Sequence, residues 1–109
     1  MKKGEIYLVN FEPAFGSEIK KTRPAVIIQS SDINSNLITV MPISSKINSQ
    51  TNDDIFILKD DQNRLFSDSI IKVQQISSFD QKRFVHFIGK FDQKIQQKIT
   101  KYLKIHFDL

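Results

Sequence analysis

From Gly4 the apolar positions Ile6, Leu8 and Phe11 mark out a strand. Pro13 and Gly16 close that strand and punctuate a polar loop over residues 12–22 that turns basic at its end. Arg23-Pro24 then opens a near-continuous apolar run to Ile28, which predicts a strand buried on both sides. Pro24 has no N–H to give a ladder, so it belongs at the start of this strand or on an edge. The Ser, Asn and Asp residues of 29–36 predict a hairpin connection into a further strand from Leu37 to Ile43.

The second half reads differently. Residues 46–54 are rich in Asn, Ser, Gln and Thr and predict a mobile loop, followed by a short strand Ile55-Phe56-Ile57-Leu58 and the turn cluster Asp60-Asp61-Gln62-Asn63. Two more strands are expected over 69–79 and 84–88, joined by the turn Asp80-Gln81-Lys82-Arg83. Gly89 and the N-cap candidate Asp92 introduce one amphipathic helix. Ile95, Ile99, Tyr102/Leu103 and His106/Phe107 fall at helical spacing beside a polar stripe of Lys94, Lys98 and Lys101. Six short strands and one terminal helix predict a mainly β fold with α, a small and strongly curved barrel. With no internal repeat and no Pro/Gly/Ser linker, residues 1–109 are expected to form one domain.

Composition agrees with strands. Ile occurs 17 times and Ala twice, a bias toward β-branched residues that favours sheet over helix. A chain of 109 residues buries roughly 65% of its unfolded surface, enough for a core without staples. There is no Cys, which removes disulfides, thiolate zinc sites and a cysteine nucleophile together. No signal-peptide-like or membrane-spanning apolar stretch is visible, so a soluble cytoplasmic protein without membrane partners is expected. The net charge of +4 is unevenly placed: residues 82–109 hold seven basic and two acidic side chains, a local +5, and the first 81 residues are close to −1. A basic balance points to a polyanionic partner, although Lys on a helix is equally a solvated face.

Elimination narrows the chemistry. Phosphate-cradling Gly-rich loops, HExxH and Cys/His clusters are all absent from the sequence, so neither a metal nor a nucleotide cofactor is expected. His86 and His106 lie in different elements and read as packed or surface residues, and the pairs Asp53-Asp54 and Asp60-Asp61 read as turn formers.

Three separated stretches, in order, carry a resemblance. The opening Gly4-Glu5-Ile6-Tyr7-Leu8-Val9, with Pro13, Gly16-Ser17-Glu18 and Lys21-Thr22-Arg23-Pro24-Ala25-Val26-Ile27-Ile28, resembles the start of the MazF/PemK toxin family. Met41-Pro42-Ile43-Ser44-Ser45-Lys46 resembles that family's "PITSK" segment, and Gln75-Ile76 through Asp80-Gln81-Lys82-Arg83 its "QIRTIDKxR" segment. Ile88-Gly89-Lys90 and the final helix continue the match. The resemblance implies an SH3-like barrel that homodimerises and works as a metal-independent endoribonuclease, an mRNA interferase cutting single-stranded RNA by attack of the ribose 2′-hydroxyl on the adjacent phosphate. It further implies a cognate antitoxin whose acidic C-terminal segment lies across the toxin.

Residue by residue, the resemblance assigns catalysis to Arg23, and Ser44 stands where the family has a catalytic Thr. In-line attack builds charge on phosphorus, and a guanidinium can hold two of the oxygens through parallel hydrogen bonds. Ser44 can donate to a phosphoryl oxygen or cap a turn, and lacks the methyl that stiffens Thr at χ1. An arginine, with a pKa above about 12, is a poor base; Glu18 is a candidate for that role or for pairing with Lys20 or Lys21. RNA-binding candidates are Phe15, Lys20, Lys21, Lys46, Lys72 and Gln75, with Phe15 either stacking on a base or plugging the core.

Two departures bear on activity. Ser77 replaces the Arg of "QIRT" and removes a basic contact. Lys72 and Gln74 stand where the Kid-like branch uses an Arg and an Asp; Lys72 lacks the bidentate fork and Gln74 cannot exchange a proton. Two rival readings follow: a degenerate member that only binds RNA or an antitoxin, and a CcdB-like gyrase-binding toxin. The latter depends on a Trp-Gly-Ile ending, whereas this chain ends Phe107-Asp108-Leu109 and has no Trp.

Overall fold

The computed structural model describes residues 1–11 and 22–109. Its elements are β1 (Glu5–Asn10), β2 (Thr22–Ile27), β3 (Leu37–Ser44), β4 (Ile55–Ile57), β5 (Ser69–Ile71), β6 (Ser77–Asp80), β7 (Phe84–Lys90) and α1 (Gln93–His106). All described pairings are antiparallel, in the order β4-β5-β3-β2-β1-β7, with β6 also on β3. Among the described residues the sheet curves without closing, so the SH3-like architecture is an open curl rather than a sealed barrel.

Successive residues of the apolar run that starts after Pro24 face two separate apolar layers. On β2, Ala25 and Ile27 face one cluster with Val9, Phe11, Ile38 and Val40. Val26 and Ile28 face the other, with Ile6, Met41, Ile43 and Ile71. This is why residues 25–28 read as one continuous apolar run: the strand is covered on both sides. The helix closes the second layer. Ile99 is buried there, with Ile95, Tyr102 and Leu103 packed beside it; full burial of such an isoleucine contributes roughly 2–3 kcal/mol. Asp92 caps α1 as expected, its Oδ1 accepting from Ile95 N at 3.0 Å.

One expectation is corrected. The single strand over 69–79 is two strands, β5 and β6, making seven among the described residues. The reason is register on β3: Ile43 faces Ile71, but Val40, three residues back, faces Ser77, six residues on. Three residues are therefore looped out, and the 3₁₀ turn Val73–Gln75 takes them up, with Val73 buried beneath it. Alternating apolar residues carry no mark of such a slip, because Val73 and Ile76 keep the segment looking like strand.

Candidate active site

Arg23 lies on β2, paired with Val9 of β1. On the register set by Ala25–Pro42 and Val26–Met41, Arg23 and Ser44 sit at matching ends of neighbouring strands. The motif residues separated in sequence are thus brought to one end of the β2–β3 pair. Arg23 is half-buried, and its Nε is buried with no hydrogen-bond partner among the described residues. An unmatched buried donor of this kind costs about 1–3 kcal/mol.

Arg23 also borders a hollow of about 250 Å³, whose buried side is formed by Ile43 and Leu65 and whose more exposed side includes Ser45, Ser67 and Phe66. Ser45, not Ser44, lines this hollow. Ser44 is only 3% exposed, and its Oγ accepts from Lys46 N at 3.1 Å. That bond is the turn-capping role anticipated from sequence, and it leaves the hydroxyl hydrogen available to donate. It also restrains χ1, which offsets the lost threonine methyl.

The segment between β4 and β5 holds Leu65 and Phe66 in opposite senses. Asp60 Oδ1 accepts from Gln62 N (2.9 Å) and Asn63 N (2.7 Å), and Asn63 Oδ1 accepts from Leu65 N (3.0 Å) while its Nδ2 donates to Leu58 O (3.0 Å). Arg64 takes a positive φ of 55°, a conformation costing roughly 1–2 kcal/mol for an L-residue. The turn rests on Gly89 of β7, where any Cβ would overlap the Asn63 carbonyl oxygen. Leu65 is thereby driven into the core at 7% exposure and Phe66 is left wholly exposed, at 100%. Sequence reasoning missed Phe66. The available signal was adjacency: Leu65 and Phe66 cannot both face inward, and the turn cluster before them fixes which one does.

Lys72 occupies a different setting. Its Nζ bonds Asp54 Oδ2 at 3.1 Å and Ser49 O at 3.3 Å, and the two charged side chains are 15% and 3% exposed. Asp54 Oδ2 also accepts from Thr51 N at 2.9 Å, and Gln74 Nε2 donates to Asp53. The segment expected to be a mobile loop therefore contains a 3₁₀ turn, Ile47–Ser49, and is tied through Asp53 and Asp54 to the end of β5. The Tyr102 hydroxyl of α1 is pushed up from its ordinary value of 10.0 by burial first, then by the charges of Asp53 and Asp54. Lys46 is exposed at the start of the 47–49 turn, and Gln75 ends the 73–75 turn, its N–H donating to Lys72 O at 3.0 Å. Phe15, Glu18, Lys20 and Lys21 lie outside the described residues.

Known proteins match this chain along its length. A family model described as PemK-like, MazF-like toxin of type II toxin-antitoxin system matches residues 2–107. A relative named Endoribonuclease MazF9, from Mycobacterium tuberculosis, is 30% identical over 116 residues, covering 100% of this chain and 98% of the relative. The crystal structure of MazF (Form-I) from Deinococcus radiodurans superposes with a TM-score of 0.84 at 17% identity, covering 100% of this chain and 97% of that one. A MazE-MazF (Form-II) structure from the same organism gives a TM-score of 0.76 at 12% identity, covering 100% and 96%; at these identities the likeness is one of fold. On the strength of the family match over nearly every residue, joined by a relative aligned end to end, the chain belongs to the PemK-like, MazF-like toxin family of type II toxin–antitoxin systems.

Proposed function

We propose that this chain is a cytoplasmic endoribonuclease toxin, one domain over residues 1–109, that cuts single-stranded RNA, mRNA above all, at short sequences without a metal ion or other cofactor. The observation that carries the reading is the Arg23 guanidinium, half-buried at the end of β2 with its Nε unmatched among the described residues. A phosphate completes such a group. In the reaction the ribose 2′-oxygen attacks the adjacent phosphorus and the 5′-oxygen of the next nucleotide leaves, giving a 2′,3′-cyclic phosphate and a 5′-hydroxyl end. Arg23 holds the phosphoryl oxygens as charge builds on them, and Ser44 donates to one of them. Glu18 stands as candidate for the proton on the 2′-hydroxyl. Phe15, Lys20, Lys21, Lys46 and Gln75 contact the strand, with Lys72 holding the 46–54 segment through Asp54.

The relative's name specifies endoribonuclease activity, and a solved neighbour of the same fold is an endoribonuclease in complex with its cognate antitoxin. By the same reading this toxin works as a homodimer and is neutralised by an antitoxin with an acidic C-terminal segment. Lys94, Lys98, Lys101 and Lys104 are all exposed on α1 and suit such a segment electrostatically.

The test is incubation of purified protein with a long single-stranded RNA in excess EDTA. Discrete fragments ending in 2′,3′-cyclic phosphate are expected. Intact RNA that is nonetheless retarded in a gel would replace this reading with the degenerate, binding-only member.

A further inference from the structure

We infer that the hollow between Arg23 and Phe66 is a subsite for one nucleobase of the RNA strand, stacked on the Phe66 ring beside the phosphate held by Arg23. This rests on the ribonuclease reading above and adds to it a specificity-determining residue. Three observations converge. Phe66 is completely exposed, yet it is held on a turn fixed by side-chain bonds from Asp60 and Asn63, so its exposure is imposed by a well-tied backbone. Such a ring loses little freedom when a base stacks on it.

The second observation is size and lining. The hollow is about 250 Å³, below the roughly 300–1,000 Å³ of sites that enclose larger ligands, and suited to a single heterocycle. Its buried side is apolar, from Ile43 and Leu65, while Ser45 and Ser67 offer hydroxyls that can donate to or accept from a base edge. The third is position. Arg23 lines the same hollow, so a strand with its phosphate on that guanidinium has a neighbouring base within reach of the ring. Single-stranded RNA is read by this combination, unstacked bases on aromatic faces with hydroxyls at their edges.

The experiment first maps a cleavage site on a long RNA with the wild-type protein. A short single strand spanning that site, 2′-O-methylated at the cut position to prevent attack, then serves as the binding probe. Its affinity is measured by fluorescence anisotropy for the wild type, Phe66→Ala and Phe66→Trp. Phe66→Ala should weaken binding roughly 10- to 100-fold, and Phe66→Trp should restore it. Removing the base on one side of the cut should weaken the wild type comparably and leave Phe66→Ala with no further loss. Equal affinity of wild type and Phe66→Ala, with the wild type still cutting, overturns the subsite and leaves the ribonuclease reading intact. Absence of both binding and cutting by the wild type removes both. A change from dimer to monomer in Phe66→Ala, read by light scattering, would instead assign the ring to contact with a second copy and overturn the subsite.

Discussion

Arg23 and Lys72 are both half-buried cations near the ends of core strands, and both were singled out through the family resemblance, yet the fold treats them in opposite ways. Lys72 has two partners, the buried Asp54 carboxylate 3.1 Å away, itself bonded to Thr51 N, and the backbone carbonyl of Ser49. Arg23 has a buried Nε with no partner among the described residues and a hollow at its side. Burying a charged or polar group unmatched is costly, so a fold that carries one either gains a ligand there or loses stability for nothing. The difference separates two settings that residue type alone cannot: Lys72 ties down the 46–54 segment, while the unmatched Nε of Arg23 supports the proposal that this guanidinium meets the RNA phosphate.

The largest test of that contrast is catalytic. Arg23→Ala should lower the rate of RNA cleavage by about 10²–10³-fold, the usual effect of losing one preorganised donor to a developing oxyanion. Its melting temperature should not fall below that of the wild type, because the buried Nε that is removed has no partner among the described residues. Arg23→Lys should not recover the rate, since an ammonium lacks the planar fork. Cleavage by Arg23→Ala at the wild-type rate would place the reaction elsewhere.

For Lys72 the expectation reverses. Asp54→Asn removes the countercharge from a pair that is mostly out of water, which should cost about 2 kcal/mol. For a domain of this size that corresponds to a fall of roughly 10 °C in melting temperature. Lys72→Met combined with Asp54→Asn should cost clearly less than the two single changes added together, the sign of direct coupling. Additive losses in thermal melts would show that the ion pair contributes nothing and that the contrast with Arg23 is false.

These two corners also show what can be read without coordinates. Most of the strands, the helix and its Asp92 cap follow from local pattern, because period and capping chemistry act over a few residues. The Arg23–Ser44 end was legible through the motifs, and the continuous apolar run to Ile28 marked β2 as buried on both sides. What local pattern does not contain is long-range partnering. The Lys72–Asp54 pair spans 18 residues, and nothing in a Thr-Asn-Asp-Asp stretch distinguishes a turn former from a buried counterion. The break between β5 and β6 was hidden for a related reason: it arises from the register each half adopts on β3, and either half alone looks like ordinary strand. Phe66 was passed over because an isolated aromatic in a polar segment has no period to mark it, and only the turn geometry around Asn63 decides that it faces outward.

The smallest test uses the helix as a reporter on the Lys72 corner. The Tyr102 hydroxyl is raised from 10.0 by burial and then by Asp53 and Asp54, so the folded chain holds that proton more tightly than the unfolded one. Its contribution to stability is therefore intact below about pH 10 and is lost as pH rises through the raised value. The chain has two tyrosines, and Tyr7 is also raised, by burial and then Glu5. A Tyr7→Phe background consequently leaves Tyr102 as the single phenol in an absorbance titration. In that background Asp54→Asn should move the Tyr102 midpoint downward, because one of the charges opposing phenolate formation is gone. Arg23→Ala should leave it in place, since Arg23 is not among the groups that shift it. A midpoint indifferent to Asp54→Asn would mean that the 46–54 segment does not stay against α1 in solution. The clamp by Lys72 would then lose its consequence, and the line drawn between the two cations would have to rest on Arg23 alone.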